Sequence, residues 1–146
     1  MSYFNVRVYG LLINEQHELL ISDEREEAKV FSKFPGGGLE LGEGLREALV
    51  REFMEECNAD IEVGNHFYTT DFYEKSIFND SQVISIYYFV KPLKPLQMQY
   101  TTRVFDFDHG GMQSFRWVAL NKLTADDVTF KTDKTVVDLL LSQMQL

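Results

Sequence analysis

FPGGGLELGEGLREALVREFMEECNA, running from Phe34 to Ala59, joins a helix-breaking segment to a tight cluster of helical carboxylates. Pro35 followed by Gly36, Gly37 and Gly38 cannot continue a strand or helix comfortably, so a turn is expected there, with a backbone able to approach a bound group closely. From Glu43 to Cys57 the residues are mostly good helix formers, and Glu43 and Glu47 come early, where a helix N-terminus favours negative charge. At about 100° per residue, Leu49, Val50, Phe53, Met54 and Cys57 share one broad side, the expected core face. Glu52, Glu55 and Glu56 fall on an adjoining arc of about 100°, with Arg51 at its far edge and the small Ala48 beside it.

Three acids on one strip have an energetic consequence. Glu52 and Glu56 are neighbours at i,i+4 and Glu52 and Glu55 at i,i+3, spacings at which like charges weaken a helix. At about 6 Å and an effective dielectric near 20, each pair repels by about 3 kcal/mol before salt screening. A hard divalent cation offsets this, since Mg²⁺ takes carboxylate oxygens and also binds substrate phosphates. A solvated acidic surface face is the competing reading of the wheel alone.

The spacing separates the two. Gly37, five residues, Glu43, seven residues, then Arg51-Glu52-Phe53-Met54-Glu55-Glu56 resembles the Nudix box, G-x5-E-x7-R-E-U-x-E-E-x-G-U with U a bulky apolar residue. Every charged position of that pattern is filled. Asn58 stands at the pattern's glycine and Ala59 at its final aliphatic residue. Asn tolerates the left-handed conformation of a helix C-cap, so the turn is expected to survive.

The resemblance implies an α/β fold, a Nudix-type α/β/α sandwich with a mixed β-sheet. It also implies metal-dependent hydrolysis, with Mg²⁺ or Mn²⁺, of a phosphoanhydride bond. The substrate would be a small-molecule nucleotide: a nucleoside diphosphate linked to another group, or a nucleoside triphosphate. A non-catalytic nucleotide-sensing module on the same fold is the rival reading. Glu52 and Glu56 are then the principal metal ligands, Glu55 a third ligand or the holder of a metal-bound water, and the Gly36 carbonyl a further ligand. Arg51 ion-pairs a neighbouring glutamate, and Glu43 braces the loop against the helix. Glu52 is the first choice for general base, with Asp106 or Asp108 as loop alternatives. Family members often carry one more acid before a Trp-bearing strand similar to FRWVAL; Gln113 sits near that position here, so that extra ligand is either absent or supplied by Asp106 or Asp108.

Composition bounds the rest. With 146 residues, 45% hydrophobic and 25% charged, the chain is expected to form one domain, residues 1–146, with a proper core. Its 23 acidic and 14 basic residues give a net charge of −9, which opposes binding to nucleic acid or anionic membrane. An anionic substrate therefore needs local neutralisation. The N-terminus lacks the pattern of a signal peptide and no run of about 18 apolar residues occurs, so a cytoplasmic protein is expected. Cys57, the one cysteine, reads as a small buried hydrophobe in a reducing compartment. The abundant aromatic residues suit a homodimer.

Along the chain, Tyr3 to Ile13 and Glu18 to Ser22 read as a hairpin of two strands. Asp23 to Lys29 reads as a solvated loop or short exposed helix, within which Arg25 is a candidate for gripping phosphate. His66 to Tyr73 and Gln82 to Val90 read as strands around an Asn79-Asp80 turn, the second apolar on both faces and therefore central. Val104 to Asp108 and Phe115 to Val118 read as strands joined by a tight turn at His109-Gly110-Gly111. Thr124 with Asp127 is a weak helix start, and a last helix is expected from Asp133 to Met144 with Val136, Val137, Leu140, Leu141 and Met144 as its core positions. Phe130, in the loop before it, is a candidate substrate contact.

Overall fold

The computed structural model describes residues 2–107 and 111–144. Seven strands and two α-helices follow one another: β1 (Tyr3–Leu12), β2 (Glu18–Glu26), β3 (Lys29–Lys33), β4 (Gly36–Gly38), α1 (Leu45–Cys57), β5 (Ile61–Thr69), β6 (Ser81–Pro92), β7 (Gln113–Ala119) and α2 (Lys131–Met144). The backbone gathers into two compact units, Met1–Leu11 with Pro35–Gln97, and Leu12–Phe34 with Met98–Leu146. The mixed α/β class expected from the sequence is borne out: antiparallel ladders are accompanied by a parallel bridge between Thr101 and Arg116. Among the described residues no helix is long and apolar enough to cross a membrane.

The first unit holds a four-stranded sheet in the order β4-β1-β6-β5, with α1 packed on β4 and β5. β6 lies inside this sheet, as its two apolar faces demand, and Tyr87 at its middle is fully buried. β5 begins five residues before the expected strand at His66 and ends at Thr69, because Ile61 already pairs opposite Pro92, ahead of Glu62 with Lys91 and Val63 with Val90. The glycine segment departs from expectation. Gly36, Gly37 and Gly38 form a short strand, paired antiparallel with Tyr9, Val8 and Arg7 of β1. Their lack of side chains permits close contact on both sides of the backbone, and the β1 edge supplies the hydrogen-bond partners that a local reading could not see.

Helix α1 starts at Leu45, two residues later than expected, because Gly44 is its extended N-cap and Glu47 Oε1 accepts the Gly44 N–H at 2.9 Å. Asn58 ends it at φ 50° and ψ 39°, in the left-handed region, with its N–H donated to the Met54 carbonyl at 3.1 Å and that of Ala59 to Phe53 at 3.2 Å. The expected cap is therefore formed. Ala48, Leu49, Phe53 and Cys57 are buried, each large apolar member contributing about 1.5–3 kcal/mol. Val50 and Met54, expected in the core, are 37% and 45% exposed, because the buried stripe is narrower and shifted toward Ala48.

The second unit holds β3-β2-β7 and α2. The charged run Asp23 to Lys29 is neither loop nor helix. β2 continues to Glu26, Glu27 and Ala28 turn with positive φ of 50° and 64°, and β3 returns from Lys29. Such paired positive φ values suit the tight turn of a hairpin. Asp23 is fully buried, accepting from Arg116 Nε at 2.7 Å, Ser32 Oγ at 2.7 Å and the Phe105 N–H at 3.2 Å. Three donors on one carboxylate explain how an acid can occupy a strand interior.

The expected strand Val104 to Asp108 is absent where described: Val104 and Phe105 form a turn, with φ 55° at Phe105. β7 pairs with β2 instead. Asp108, His109 and Gly110 lie outside the described residues. Thr124 and Asp127 do meet, the Asp127 carboxylate accepting the Thr124 N–H at 2.9 Å, but they open only a single 3-10 turn, Ala125–Asp127. α2 begins at Lys131, two residues early, and buries Val136, Val137 and Leu140, while Met144 is 47% exposed in the final turn.

Candidate active site

Two glycines of β4 draw two glutamates of α1 toward the sheet by different means. A Cβ on Gly37 would stand 2.5 Å from Glu52 Cδ and 2.6 Å from both of its carboxylate oxygens. Only hydrogen leaves room for that carboxylate. Gly36 has φ +149°, and its N–H donates to Glu56 Oε2 at 3.3 Å. The backbone conformation that excludes other residues thus turns an amide toward a second acid.

Arg51 organises the rest. Its Nε and Nη2 grip Glu43 through both carboxylate oxygens, at 3.0 and 2.6 Å. Nη2 also donates to the Gly38 carbonyl at 3.0 Å, tying helix to strand, and Nη1 donates to Glu52 Oε1 at 2.9 Å and Glu55 Oε2 at 3.3 Å. Glu40 adds an ion pair at 3.7 Å that the sequence reading did not foresee. Glu43 in turn accepts the Glu40 N–H at 2.9 Å, closing the loop that leads into α1.

The electrostatic result runs both ways. The paired hydrogen bonds from Arg51, and then the Glu40 amide, hold the Glu43 carboxyl below its ordinary range. Hydrogen bonding to Glu43 raises Arg51 well above its already high value, with Glu52 adding to it. Glu43 and Glu52 side chains are 15% and 13% exposed, whereas Glu55 at 59% stands in solvent. The partly sheltered acids are the ones Arg51 and the glycines fix.

Residues 4–140 match the family model for the NUDIX domain. The chain belongs to the Nudix family. Over 49 residues it is 41% identical to an 8-oxo-dGTP diphosphatase of Escherichia coli strain K12; that stretch is 32% of this chain and 38% of that relative. Its fold is similar to the solution structure of the ORF135 protein of E. coli, with a TM-score of 0.72 and 16% identity, covering 99% of this chain and 92% of that one. It is also similar to an ADP-ribose pyrophosphatase of Streptococcus suis, with a TM-score of 0.63 and 16% identity, covering 97% and 92%.

Of the remaining candidates from the sequence, Arg25, Phe130, Asp106 and Gln113 lie in the unit that carries β2 and β7, where each has a local partner. Arg25 donates through Nη2 to the Gly111 carbonyl at 3.0 Å and stacks over Phe107 at 4.8 Å. Phe130 packs on Phe31 with ring centroids 5.4 Å apart. Asp106 pairs with Arg103 at 3.4 Å. Gln113, in the position considered for the extra Nudix acid, donates to Ser22 Oγ at 2.9 Å and Glu24 Oε2 at 3.3 Å. Asp108 lies outside the described residues. Among the described residues no three His, Cys, Asp or Glu side chains are already gathered as a metal-ligand set.

Proposed function

We propose that this Nudix protein hydrolyses a phosphoanhydride bond in a nucleoside diphosphate linked to another group, or in a nucleoside triphosphate, with Mg²⁺ or Mn²⁺ as cofactor. The observation that carries this reading is the Glu52 carboxylate seated against Gly37 in a space that a single methyl group would fill. The names of the relatives, an 8-oxo-dGTP diphosphatase and an ADP-ribose pyrophosphatase, lie within the same reaction class.

The donor chemistry fits a hard divalent cation. Glu40, Glu43, Glu52 and Glu55 surround one guanidinium, so the strip keeps an excess of carboxylate oxygens after Arg51 has been matched. Glu52 and Glu56 would be the principal ligands, joined by Glu55 and by the carbonyl of Gly36. Bound there, the cation would neutralise the diphosphate and polarise the phosphorus under attack. Glu52 would take the proton of the attacking water, and Arg51 aims that carboxylate through a 2.9 Å hydrogen bond from Nη1. Glu43 holds Arg51 through two hydrogen bonds, so the loop 39–44 and the helix keep one geometry. Neither Arg51 nor Glu43 needs to touch the substrate.

A small nucleotide, not a polynucleotide or a membrane surface, suits a chain of net charge −9. The buried single cysteine, Cys57, suits a reducing, cytoplasmic setting. The test is turnover of a panel of nucleotide sugars, ADP-ribose-like compounds and nucleoside triphosphates with each metal. Release of phosphate-bearing products, abolished by Glu56→Gln and by Glu52→Gln, is expected. Tight nucleotide binding with no product in either metal would replace the hydrolase with a nucleotide sensor.

A further inference from the structure

Arg7 brings a positive charge to the glycine strand from the sheet face opposite α1. A Cβ on Gly10 would stand 2.5 Å from Phe53 Cε1, so Gly10, and with it Val8 two residues earlier, faces the helix. Arg7 and Tyr9 alternate with them and face the other way, where the Tyr9 ring lies 5.4 Å from that of Tyr87 on β6. β4 is an end strand of this sheet. Its Gly36 N–H and Gly38 carbonyl go to Glu56 and Arg51 of α1, so the charged strip of the helix runs along this edge.

The three glycines of β4 differ in what fills the space of their absent side chains. At Gly37 it is the Glu52 carboxylate, and at Gly36 it is the Val8 carbonyl with the backbone and ring of Tyr9. At Gly38 the space is open. Apart from its chain neighbours, Arg7 Nη1 at 3.7 Å is the one atom of the described residues within 4 Å of the position a Cβ would take. Gly38 therefore lies between two guanidinium groups: Arg51 on its carbonyl, and Arg7, its register partner on β1, at the rim of the open space.

Arg7 is held from beneath. Its Nε donates to the Tyr9 hydroxyl at 2.6 Å, and its guanidinium carbon lies 5.7 Å from the centre of that ring. Tyr9 is buried and Arg7 half-buried, so the arginine reaches Gly38 from a firm base. With Nε given to the tyrosine, it is the Nη1 end that borders Gly38, and the end of a guanidinium fork suits phosphate oxygens. A substrate with two or more phosphates meets a chain of net charge −9, and a cation on the α1 carboxylates neutralises it from one side only. Arg7 stands on the other side of the same edge.

We propose that Arg7 binds a substrate phosphate adjoining the one held by the cation, that this phosphate occupies the open space at Gly38, and that Tyr9 positions Arg7 for it. This rests on the substrate reading above and deepens it: the phosphate chain spans the β4 edge, and preference for at least two linked phosphates comes from Arg7.

Calorimetric titration of inorganic pyrophosphate into the full chain with Mg²⁺ present tests this without requiring turnover. Arg7→Gln should weaken binding at least about ten-fold, the loss of a charge-assisted contact, and Arg7→Lys, which keeps the charge without the fork, should weaken it less. Tyr9→Phe, which releases Nε and leaves the charge, should fall between wild type and Arg7→Gln. Gly38→Ala is the sharper variant. Its methyl group would meet Arg7 at an ordinary contact distance and at no positive φ, so circular dichroism should show it folded. It takes the place of the phosphate, and should weaken binding about ten-fold. Because both changes act on one phosphate, Arg7→Gln with Gly38→Ala should bind within about three-fold of Arg7→Gln alone. On a nucleotide that is turned over, Arg7→Gln should raise KM more than it lowers kcat. Binding within about three-fold of wild type in Arg7→Gln or in folded Gly38→Ala overturns the proposal, as do fully additive losses or a wild type that binds no pyrophosphate. Turnover of the nucleotide panel decides the hydrolase reading separately: Arg7-dependent binding in a protein that hydrolyses nothing would sustain this contact and overturn the hydrolase alone.

Discussion

Replacing Gly37 by alanine adds one methyl group at the point where Glu52 meets the sheet. The new Cβ would lie 2.5 Å from Glu52 Cδ, whereas carbon atoms in ordinary contact sit about 3.5–4.0 Å apart. The carboxylate must therefore retreat by about 1 Å. It can do so, since it ends a flexible side chain. The cost is an off-rotamer strain of about 0.5–1.5 kcal/mol plus weakening of the 2.9 Å hydrogen bond from Arg51, for a total of about 1–3 kcal/mol. That corresponds to a fall in Tm of about 4–12 °C, which leaves the protein folded at 25 °C. Turnover should suffer more, because displacing a reacting or ligating group by about 1 Å costs about 100-fold. Gly36→Ala is the control. Its Cβ would lie 2.1 Å from the Val8 carbonyl oxygen at φ +149°, where no flexible side-chain end can yield, so it should fold poorly or not at all. Steady-state kcat/KM on the best substrate, paired with thermal denaturation by circular dichroism, measures both effects. Gly37→Ala retaining kcat/KM within about three-fold would refute the claim that this space exists for the Glu52 carboxylate.

Other outcomes follow from the same geometry. Arg51→Lys cannot reproduce the paired grip on Glu43 with simultaneous contacts to Gly38 and Glu52, and should lower kcat by about 10–100-fold in the same assay. Because Glu43 titrates below its ordinary range, its contribution to stability is fully present above the ordinary carboxylate pKa and lost as pH falls through the lowered value. Urea denaturation from pH 7 downward should show a shallower acid loss for Glu43→Gln than for wild type. Asp23→Ala leaves Arg116 buried without its acid and should destabilise the fold by about 3–5 kcal/mol, read from the urea midpoint, while Arg116→Met with Asp23→Leu should cost clearly less than Asp23→Ala. Chelation of divalent ions should abolish turnover, and added Mg²⁺ or Mn²⁺ should restore it.

The helix of this site was legible because its information is local: the spacing from Gly37 to Glu56, the early Glu47 and the cap at Asn58 are all written within one segment. The apolar run in β6 likewise announced a central strand. Long-range pairing was not legible. Three glycines after a proline look like a turn until β1 offers them an edge, and only then does their smoothness become room for Glu52. DEREEAK looked solvated because every residue but Ala28 is charged, yet β2 continues into it and buries Asp23 against Arg116, a partner that lies 93 residues away in sequence. The reading of Val104 onward as a strand followed β propensity that the turn at Phe105 overrides. Arg51 was recognised from its place in the pattern, but its contact with Glu40 and the Gly38 carbonyl depends on how the loop folds back.

Calorimetric titration of Mn²⁺ and Mg²⁺ into the wild-type chain and into Glu52→Gln and Glu56→Gln, with and without a non-hydrolysable nucleoside diphosphate analogue, reaches the central claim most directly. Uptake by the wild type that strengthens with the nucleotide, and at least a ten-fold weakening in each variant, is the expected result. Equal uptake in all three proteins, or none in the wild type with nucleotide present, would contradict the account.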